Sequence, residues 1–224
     1  GKIRVSNKAK VTFQNLWMSV LENNNIFRIA GESEVTFENC VLQSEFPANE
    51  HFLLFSEEKS KVNFKQVTTK LPDKHQLGMK FVQSAVSIQD STIQNRLWIR
   101  ENSELTFVRS KMECSRPTSL WIEDSKLSIL SSQVSGTFEG GTQAVLNASK
   151  SEIMIEDSLI QGVGKDYYTI YLQESCTGVF NNLSVDFMKL KSSHIRMVNG
   201  SVKYNLAIDG ESTLYSQGRL RFLN

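Results

Sequence analysis

Proline, histidine and cysteine are scarce in this sequence of 224 residues, which contains three of each. Charge of neither sign is in excess, since 25 basic residues face 24 acidic ones. We therefore expect no bulk electrostatic attraction to nucleic acid or to an anionic membrane. No apolar run approaches the roughly 18 residues that indicate a transmembrane helix, so we predict no membrane span. These absences direct attention to the way in which the remaining residues are arranged.

A ten-residue sequence motif, here called the phrase, occurs nine times in the chain, and connections of varying length separate its copies. It starts with a small polar residue, continues with alternating apolar and polar residues, and ends in a short apolar segment after a polar turn residue. Clear copies lie at 33–42, 103–112 and 151–160. A repeat period of roughly 20–30 residues is typical of stacked-repeat architectures.

Each phrase predicts a strand, a tight bend and a second short strand. The alternation of apolar and polar residues is the period of a strand with one buried face. Asn and Asp are frequent at the following position, and both tolerate the left-handed backbone conformation that a tight bend requires. The predicted bend residues are Asn15, Asn39, Gln66, Asp90, Arg109, Ser131, Asp157, Asn182 and Asn199.

A third strand is predicted before each phrase. Its last inward residue gives a second, independent way to align one coil with the next. Three short parallel strands per turn predict an all-β fold, namely a single-stranded right-handed parallel β-helix (a solenoid) of about nine to ten coils. All three prolines fall in connections between strands, as such a sheet requires. The predicted inward residues of the third strand are Val5, Ile29, Phe55, Phe81, Ile99, Ile122, Leu146, Leu172, Leu190 and Ile208.

This pattern resembles the right-handed parallel β-helix superfamily of pectate lyases and related proteins, over essentially the whole chain. The resemblance lies in the short bend with a left-handed Asn and in the longer, variable connections before the first sheet. It implies an architecture and no particular activity. The continuous repeat predicts one β-helix domain over residues 1–224. Because the first residue is Gly1 and not Met, we expect a piece of a longer protein.

The third strand also carries the best candidate for a binding surface. Residues that alternate with its inward ones should point outward and form one line, with about 4.8 Å between coils. That line is predicted to contain Arg4, Arg28, Leu54, Lys80, Trp98, Trp121, Val145, Tyr171, Lys189 and Ala207. From its centre and flanks we predict binding residues, because exposed aromatic patches usually mark interaction sites. They are Lys80, Arg96, Trp98, Arg100, Trp121, Glu123, Tyr171 and Lys189.

A second interpretation of the same line is that the long connections fold over it and bury it. The connections concerned are 43–51, 70–78, 113–118, 136–142 and 161–167. In that case Trp98 and Trp121 would belong to a core and the binding hypothesis would fail.

Catalytic patterns are weak in this sequence. None of His51, His75 and His194 has an aligned pair of carboxylates beside it. Glu101 and Glu123 are the best available pair for glycoside hydrolysis, which needs a separation of about 5–9.5 Å. We therefore predict no catalytic residues and lean against an enzyme.

Two further rows accompany the phrase, and we interpret both as structural. The acidic row lacks the Asp-rich pattern of calcium sites, and we interpret it as a solvent-exposed bend of mixed charge. The serine row has no histidine that could activate a hydroxyl as a nucleophile, and we expect its side chains to point inward. No metal and no cofactor is predicted. The acidic row is Glu32, Glu58, Glu101, Asp124, Glu174 and Glu211, and the serine row is Ser33, Ser60, Ser84, Ser103, Ser125, Ser151, Ser193 and Ser212.

The leading functional hypothesis is a non-catalytic recognition or scaffold module that presents the aromatic and basic surface to a glycan or a protein partner. A polysaccharide lyase or hydrolase that uses the groove beside the first sheet is one alternative. A structural spacer or assembly module is the other. Both ends of the repeat look uncapped, so a flanking domain or an oligomer contact is expected there.

The localisation stays open on the sequence. We favour a bacterial protein that is secreted or exposed at the cell surface. An intracellular protein is the alternative, because Cys40, Cys114 and Cys176 lie about three coils apart, too far for the roughly 7 Å Cα separation of a disulfide.

Overall fold

The computed structural model describes residues 2–20, 26–44, 52–70, 78–114, 118–137, 144–163 and 168–222. Over this part of the chain there are 25 β-strands and no helix, and hence no helix that could cross a membrane. All strand pairs are parallel, and the sheet winds through 326° round an axis. The fold is a right-handed parallel β-helix, as predicted, in line with the usual hand of parallel crossovers.

Each coil contributes one strand to each of three sheets, taken in chain order. The first sheet contains Ile3–Val5 (β1), Phe27–Ile29 (β4), Phe52–Ser56 (β7), Gly78–Val82 (β10), Arg96–Arg100 (β13), Leu120–Glu123 (β16), Ala144–Ser149 (β19) and Tyr168–Gln173 (β22). The second contains Lys10–Gln14 (β2), Glu34–Glu38 (β5), Lys61–Lys65 (β8), Ala85–Gln89 (β11), Glu104–Val108 (β14), Lys126–Leu130 (β17) and Glu152–Glu156 (β20). The third contains Trp17–Val20 (β3), Val41–Ser44 (β6), Thr68–Lys70 (β9), Thr92–Ile93 (β12), Lys111–Cys114 (β15), Gln133–Thr137 (β18) and Leu159–Val163 (β21).

Three long strands complete the solenoid at its C-terminal end. They are Thr177–Lys191 (β23), His194–Asp209 (β24) and Thr213–Phe222 (β25). β23 pairs successively with β20, β21 and β22, so it passes through the second, third and first sheets without interruption. Seven short strands of the second sheet plus one segment from each long strand make ten coils, within the predicted range.

Inward side chains stack from coil to coil and form the core. The rings of Phe13, Phe37 and Phe64 are parallel neighbours, with centroid separations of 5.3 Å at both steps. Further along the same row, Phe107 pairs with Ile88 on one side and Ile129 on the other, and all three are buried. Neighbouring coils therefore stabilise one another through continuous apolar contact, as expected for a solenoid.

The bends between the second and third sheets have the predicted backbone. All nine predicted bend residues lie in the left-handed region, with φ between 43° and 54°. Arg109 is an unusual residue for this conformation, and its side chain is held by two hydrogen bonds of 2.8 and 2.9 Å to the Asp90 carboxylate. The Arg109 guanidinium lowers the pKa of the Asp90 carboxyl by hydrogen bonding and charge.

The predicted register is wrong in β7. Arg28 pairs with Phe55, which places Phe55 on the outward side and buries Leu54, the residue predicted to point outward. The inward position of Phe55 is taken by Ser56, whose hydroxyl lies 3.0 Å from the hydroxyl of Ser84. Hydrophobicity alone could not predict this register, because a hydrogen-bonded serine is stable in the interior.

The register is also wrong in β19. Trp121 pairs with Asn147, so Asn147 points outward, whereas Val145 is buried and does not belong to the outward line. The inward position predicted for Leu146 is occupied by Ala148. Leu146 is buried in a neighbouring inward row, and the small size of Ala148 hid the correct alignment.

Ile208 was also predicted to point inward, and here the alignment is right but the side chain is not buried. Its partner Leu190 is buried, but Ile208 is 47% exposed because no further strand pairs with this segment within the described residues. The last coil thus has the predicted alignment without the predicted burial.

Two ladders of buried serines run along the corners of the coils. The predicted serine row is inward, and the backbone N–H of Ser84 donates to the hydroxyl of Ser103 at 3.0 Å. A second ladder, which the sequence analysis did not single out, follows the bend between the second and third sheets. It consists of Ser91, Ser110, Ser132 and Ser158, linked by hydrogen bonds of 3.0–3.1 Å from each backbone N–H to the next hydroxyl.

Replacing Ser110 with alanine should lower the free energy of unfolding by about 1–2 kcal/mol, because it leaves a buried N–H of Ser91 without its acceptor. Urea unfolding followed by circular dichroism would measure the loss. Ser128→Ala, on the outward side of β17, is the matched control and should change stability by less than about 0.5 kcal/mol. Equal effects of both substitutions would contradict a stabilising role for the ladder.

Cys40, Cys114 and Cys176 are buried and form no disulfide, as predicted. Burial raises the pKa of the Cys176 thiol, because the thiolate is poorly solvated in the interior. The Cys176 side chain therefore acts as a small, neutral residue of the core.

Candidate binding surface

The outward side of the first sheet carries one continuous row along the solenoid axis. Lys80 pairs with Trp98 and Trp98 with Trp121, while Tyr171 pairs with Lys189. Asn147 bridges the two halves, since it pairs with Trp121 on one side and Tyr171 on the other. We call this set the outward row; it contains Arg4, Arg28, Phe55, Lys80, Trp98, Trp121, Asn147, Tyr171, Lys189 and Ala207.

Trp98 is half-buried because it packs along the surface of the sheet. Its ring meets the ring of Phe52 edge-on, with centroids 5.2 Å apart, and a Cβ on Gly78 would overlap it. The Arg96 guanidinium lies 4.9 Å from the centre of the Trp98 ring. Gly78 is thus the residue whose missing side chain makes room for this tryptophan.

Trp121 is the most exposed aromatic residue of the row, with 40% of its surface accessible. Beside it, Arg100 and Glu123 form an ion pair of 2.6 Å on adjacent strands. Asn147 follows it on the next coil. An exposed indole ring is therefore surrounded by an amide and a guanidinium–carboxylate pair.

Cations alternate with aromatic rings at the N-terminal part of the row. Phe55 lies between Arg28 and Lys80, whose charged groups are 5.8 and 5.6 Å from its ring centre. The Lys80 ammonium is also 5.9 Å from the ring of Phe52. Such contacts hold long cationic side chains against the sheet and keep their charge at the surface.

A similar cluster lies at the C-terminal part of the row. The Lys189 ammonium is 5.2 Å from the Tyr168 ring, 5.6 Å from the Tyr171 ring and 3.3 Å from the Asp209 carboxylate. The hydrogen bond with Asp209 and the neighbouring Tyr168 raise the pKa of Lys189. Lys189 therefore stays protonated, since a raised pKa extends the charged state to higher pH.

All eight residues predicted for binding lie on this side of the first sheet. Five of them stand in the outward row, while Arg96, Arg100 and Glu123 flank it. Phe52, Phe55 and Tyr168 also lie here but were not among the predicted binding residues, although aromatic residues cluster at 52–55 and 168–171 in the sequence. The connections proposed to cover the row lie mostly outside the described residues.

The carboxylates predicted as alternatives have other partners or positions. Glu123 is ion-paired with Arg100, and Glu101 lies on the exposed bend between the first and second sheets. At the equivalent bend of an earlier coil, Glu32 is ion-paired with Lys8 at 3.3 Å. No group of three acidic, histidine or cysteine side chains that could hold a metal is found among the residues described.

Comparison with protein-family models, with curated proteins and with solved structures finds no match to this chain. The fold and the outward row define the class of protein, a parallel β-helix solenoid with an aromatic and basic face. Of the resemblance predicted from the repeat, the structure supports the parallel β-helix architecture.

Proposed function

We propose that this protein is a non-catalytic recognition module that binds an extended glycan along the outward row. The observation that carries the proposal is the exposed ring of Trp121 in the middle of a row of aromatic, amide and cationic side chains. A flat indole ring offers the apolar face on which the C–H face of a sugar ring can stack, while its neighbours offer hydrogen bonds.

The direction and spacing of the row support a polymeric ligand. Equivalent residues recur about every 4.8 Å along the axis, which is close to the length of one pyranose unit. An extended polysaccharide could thus place successive sugars against Trp98, Trp121, Asn147 and Tyr171.

The contacts of the carboxylates support recognition over hydrolysis. A hydrolase needs a carboxylic acid and a second carboxylate poised across a glycosidic bond. Here the Glu123 carboxylate is engaged by Arg100, and its predicted companion Glu101 lies on the neighbouring bend. We therefore assign both residues to the surface that surrounds Trp121.

The test is a screen of immobilised glycans with the wild type, Trp121→Ala and Trp17→Ala, followed by calorimetry on each glycan that binds. We expect Trp121→Ala to weaken binding at least about tenfold, the equivalent of about 1.4 kcal/mol. Trp17→Ala is the matched control, because Trp17 is 72% exposed on the third sheet and outside the row.

The folded state of each variant is checked by thermal unfolding. Trp121 suits this experiment better than Trp98, whose ring packs on Phe52 and over Gly78. Equal loss in both variants, or an unchanged affinity of Trp121→Ala, would reject the outward row as the site. A wild type that binds no glycan would reject the ligand class and favour a protein partner.

A further inference from the structure

A shallow polar groove, widely open to solvent, runs along the bend between the second and third sheets. It has a volume of about 1010 Å³ and spans five successive coils, or roughly 19 Å at four steps of about 4.8 Å. None of the residues that line it belongs to the outward row or to the short strands of the first sheet. The groove is therefore separate from the candidate site described above.

Two lines of side chains form the walls of the groove, and buried serines form its floor. The floor is the ladder of Ser91, Ser110, Ser132 and Ser158, whose small, buried side chains do not fill the space between the walls. The first wall contains the bend residues Asp90, Arg109, Ser131, Asp157 and Asn182. The second wall contains Thr92, Lys111, Gln133, Leu159 and Ser184.

Planar polar groups dominate the walls. The Asn182 amide donates to Asp157 Oδ1 at 2.7 Å, which fixes both groups. A second N–H donor and the carbonyl acceptor remain on Asn182, and further acceptor positions remain on the Asp157 carboxylate. The Gln133 amide donates along the axis to Gln161 at 3.4 Å. Planar amide and carboxylate groups with spare capacity can bind adjacent hydroxyl groups of a sugar in pairs.

The charges of the groove are largely compensated by its own neighbours. Arg109 is held by Asp90 through two hydrogen bonds, and Lys111 is ion-paired with Glu113. None of the described residues that line the groove is aromatic. These features favour a neutral ligand that is rich in hydroxyl groups over an acidic or an apolar one.

The repeat distance selects a glycan over a peptide. An extended peptide advances about 3.3 Å per residue and would lose register with coils spaced about 4.8 Å apart. A sugar unit has nearly the length of one coil and would meet equivalent wall residues at each step. An extended neutral polysaccharide thus matches both the chemistry and the spacing of the groove.

We propose that the polar groove is a second binding site, which takes a neutral, hydroxyl-rich glycan chain lying along the solenoid axis. This site is independent of the outward row. With both sites occupied, one molecule would hold two polysaccharide chains at once and thereby cross-link them.

The experiment uses the 224-residue chain with Trp121→Ala, so that the outward row does not contribute. Its probes are three neutral glucose hexasaccharides: cellohexaose, laminarihexaose and maltohexaose. Affinity is measured by NMR titration, which also follows the side-chain amide signals of Gln133 and Asn182. We expect one hexasaccharide to bind and to shift these two amide signals.

The groove is then altered by Gln133→Ala and Asn182→Gly in the same background. Glycine keeps the left-handed bend at position 182 accessible, since φ there is 52°. We expect at least a tenfold loss of affinity. Asn39→Gly is the matched control, at an equivalent bend outside the groove with φ of 52°, and it should leave affinity unchanged.

The outcomes separate this site from the outward row. If Trp121→Ala alone abolishes all hexasaccharide binding, the polar groove is not a site, while the proposed function stands. Equal affinity with and without the groove substitutions would also overturn the inference. Binding that depends on Gln133 and Asn182 but not on Trp121 would support the groove and contradict the outward row.

Discussion

Replacing Phe107 with alanine is expected to lower the free energy of unfolding by about 3–5 kcal/mol. Phe107 lies on the inward side of β14 and is only 2% exposed. Its neighbours on adjacent coils are Ile88 and Ile129, both on short strands that pair on each side of β14. Because these parallel strands are hydrogen-bonded in register, the coils cannot close around the lost ring, and a cavity remains.

Chemical denaturation of the wild type and of Phe107→Ala would measure this loss. Thr106→Ala is the control, since Thr106 is the preceding residue of the same strand and points to the other side of the sheet. It should change stability by less than about 0.5 kcal/mol. A loss below about 1 kcal/mol for Phe107→Ala would contradict the register of the second sheet.

Replacing Gly178 with alanine is expected to destabilise the protein by about 1–3 kcal/mol, although glycine in a strand is normally the weaker residue. Gly178 occupies an inward position of β23 between Ile153 and Ile195. An added Cβ would overlap the backbone carbonyl oxygen of Ile153 and lie 3.2 Å from Ile195 Cδ1. A backbone atom of a paired strand cannot move aside as a flexible side chain can.

Thermal and chemical unfolding of Gly178→Ala would show the sign of the effect. Val179→Ala serves as the control, because Val179 is the next residue and is exposed on the outside of the solenoid. A stabilised Gly178→Ala protein would mean that the inward row has free space at this coil. That result would contradict the close approach of β20 and β23.

Most of the fold could be predicted from the sequence because its determinants are local. The alternation in segments such as 34–38 and 104–108 shows which side chains point inward, whatever the length of the connections. The bend positions follow from residue type, and even Arg109 was placed correctly by its distance from the strand before it. Strand, bend and strand therefore follow from ten consecutive residues.

The errors arose where a polar or small residue takes an inward position. Ser56 and Ala148 are both buried on the inward side of the first sheet. In each case a larger apolar neighbour had been predicted for that inward position. Hydrogen bonding to Ser84 makes Ser56 stable inside, but that partner lies 28 residues away in the chain. No local pattern contains this information.

The candidate site divides in the same way between local pattern and long-range contact. Alternation was sufficient to place Lys80, Trp98, Trp121, Tyr171 and Lys189 in one row. It could not show that the ring of Trp98 packs over Gly78, or that the Trp121 ring is exposed. Those differences depend on side chains from other coils.

The solenoid, its bends and most of its outward row thus follow from local sequence patterns, because each depends on residues a few positions apart. The register of β7 and β19, the exposure of each aromatic ring and the polar groove are visible only in the folded chain. These features depend on contacts between coils, whose residues are about twenty positions apart and separated by connections of variable length. The alignment of one coil on the next is set by burial and hydrogen bonding across the stack, and it is therefore a property of the folded chain.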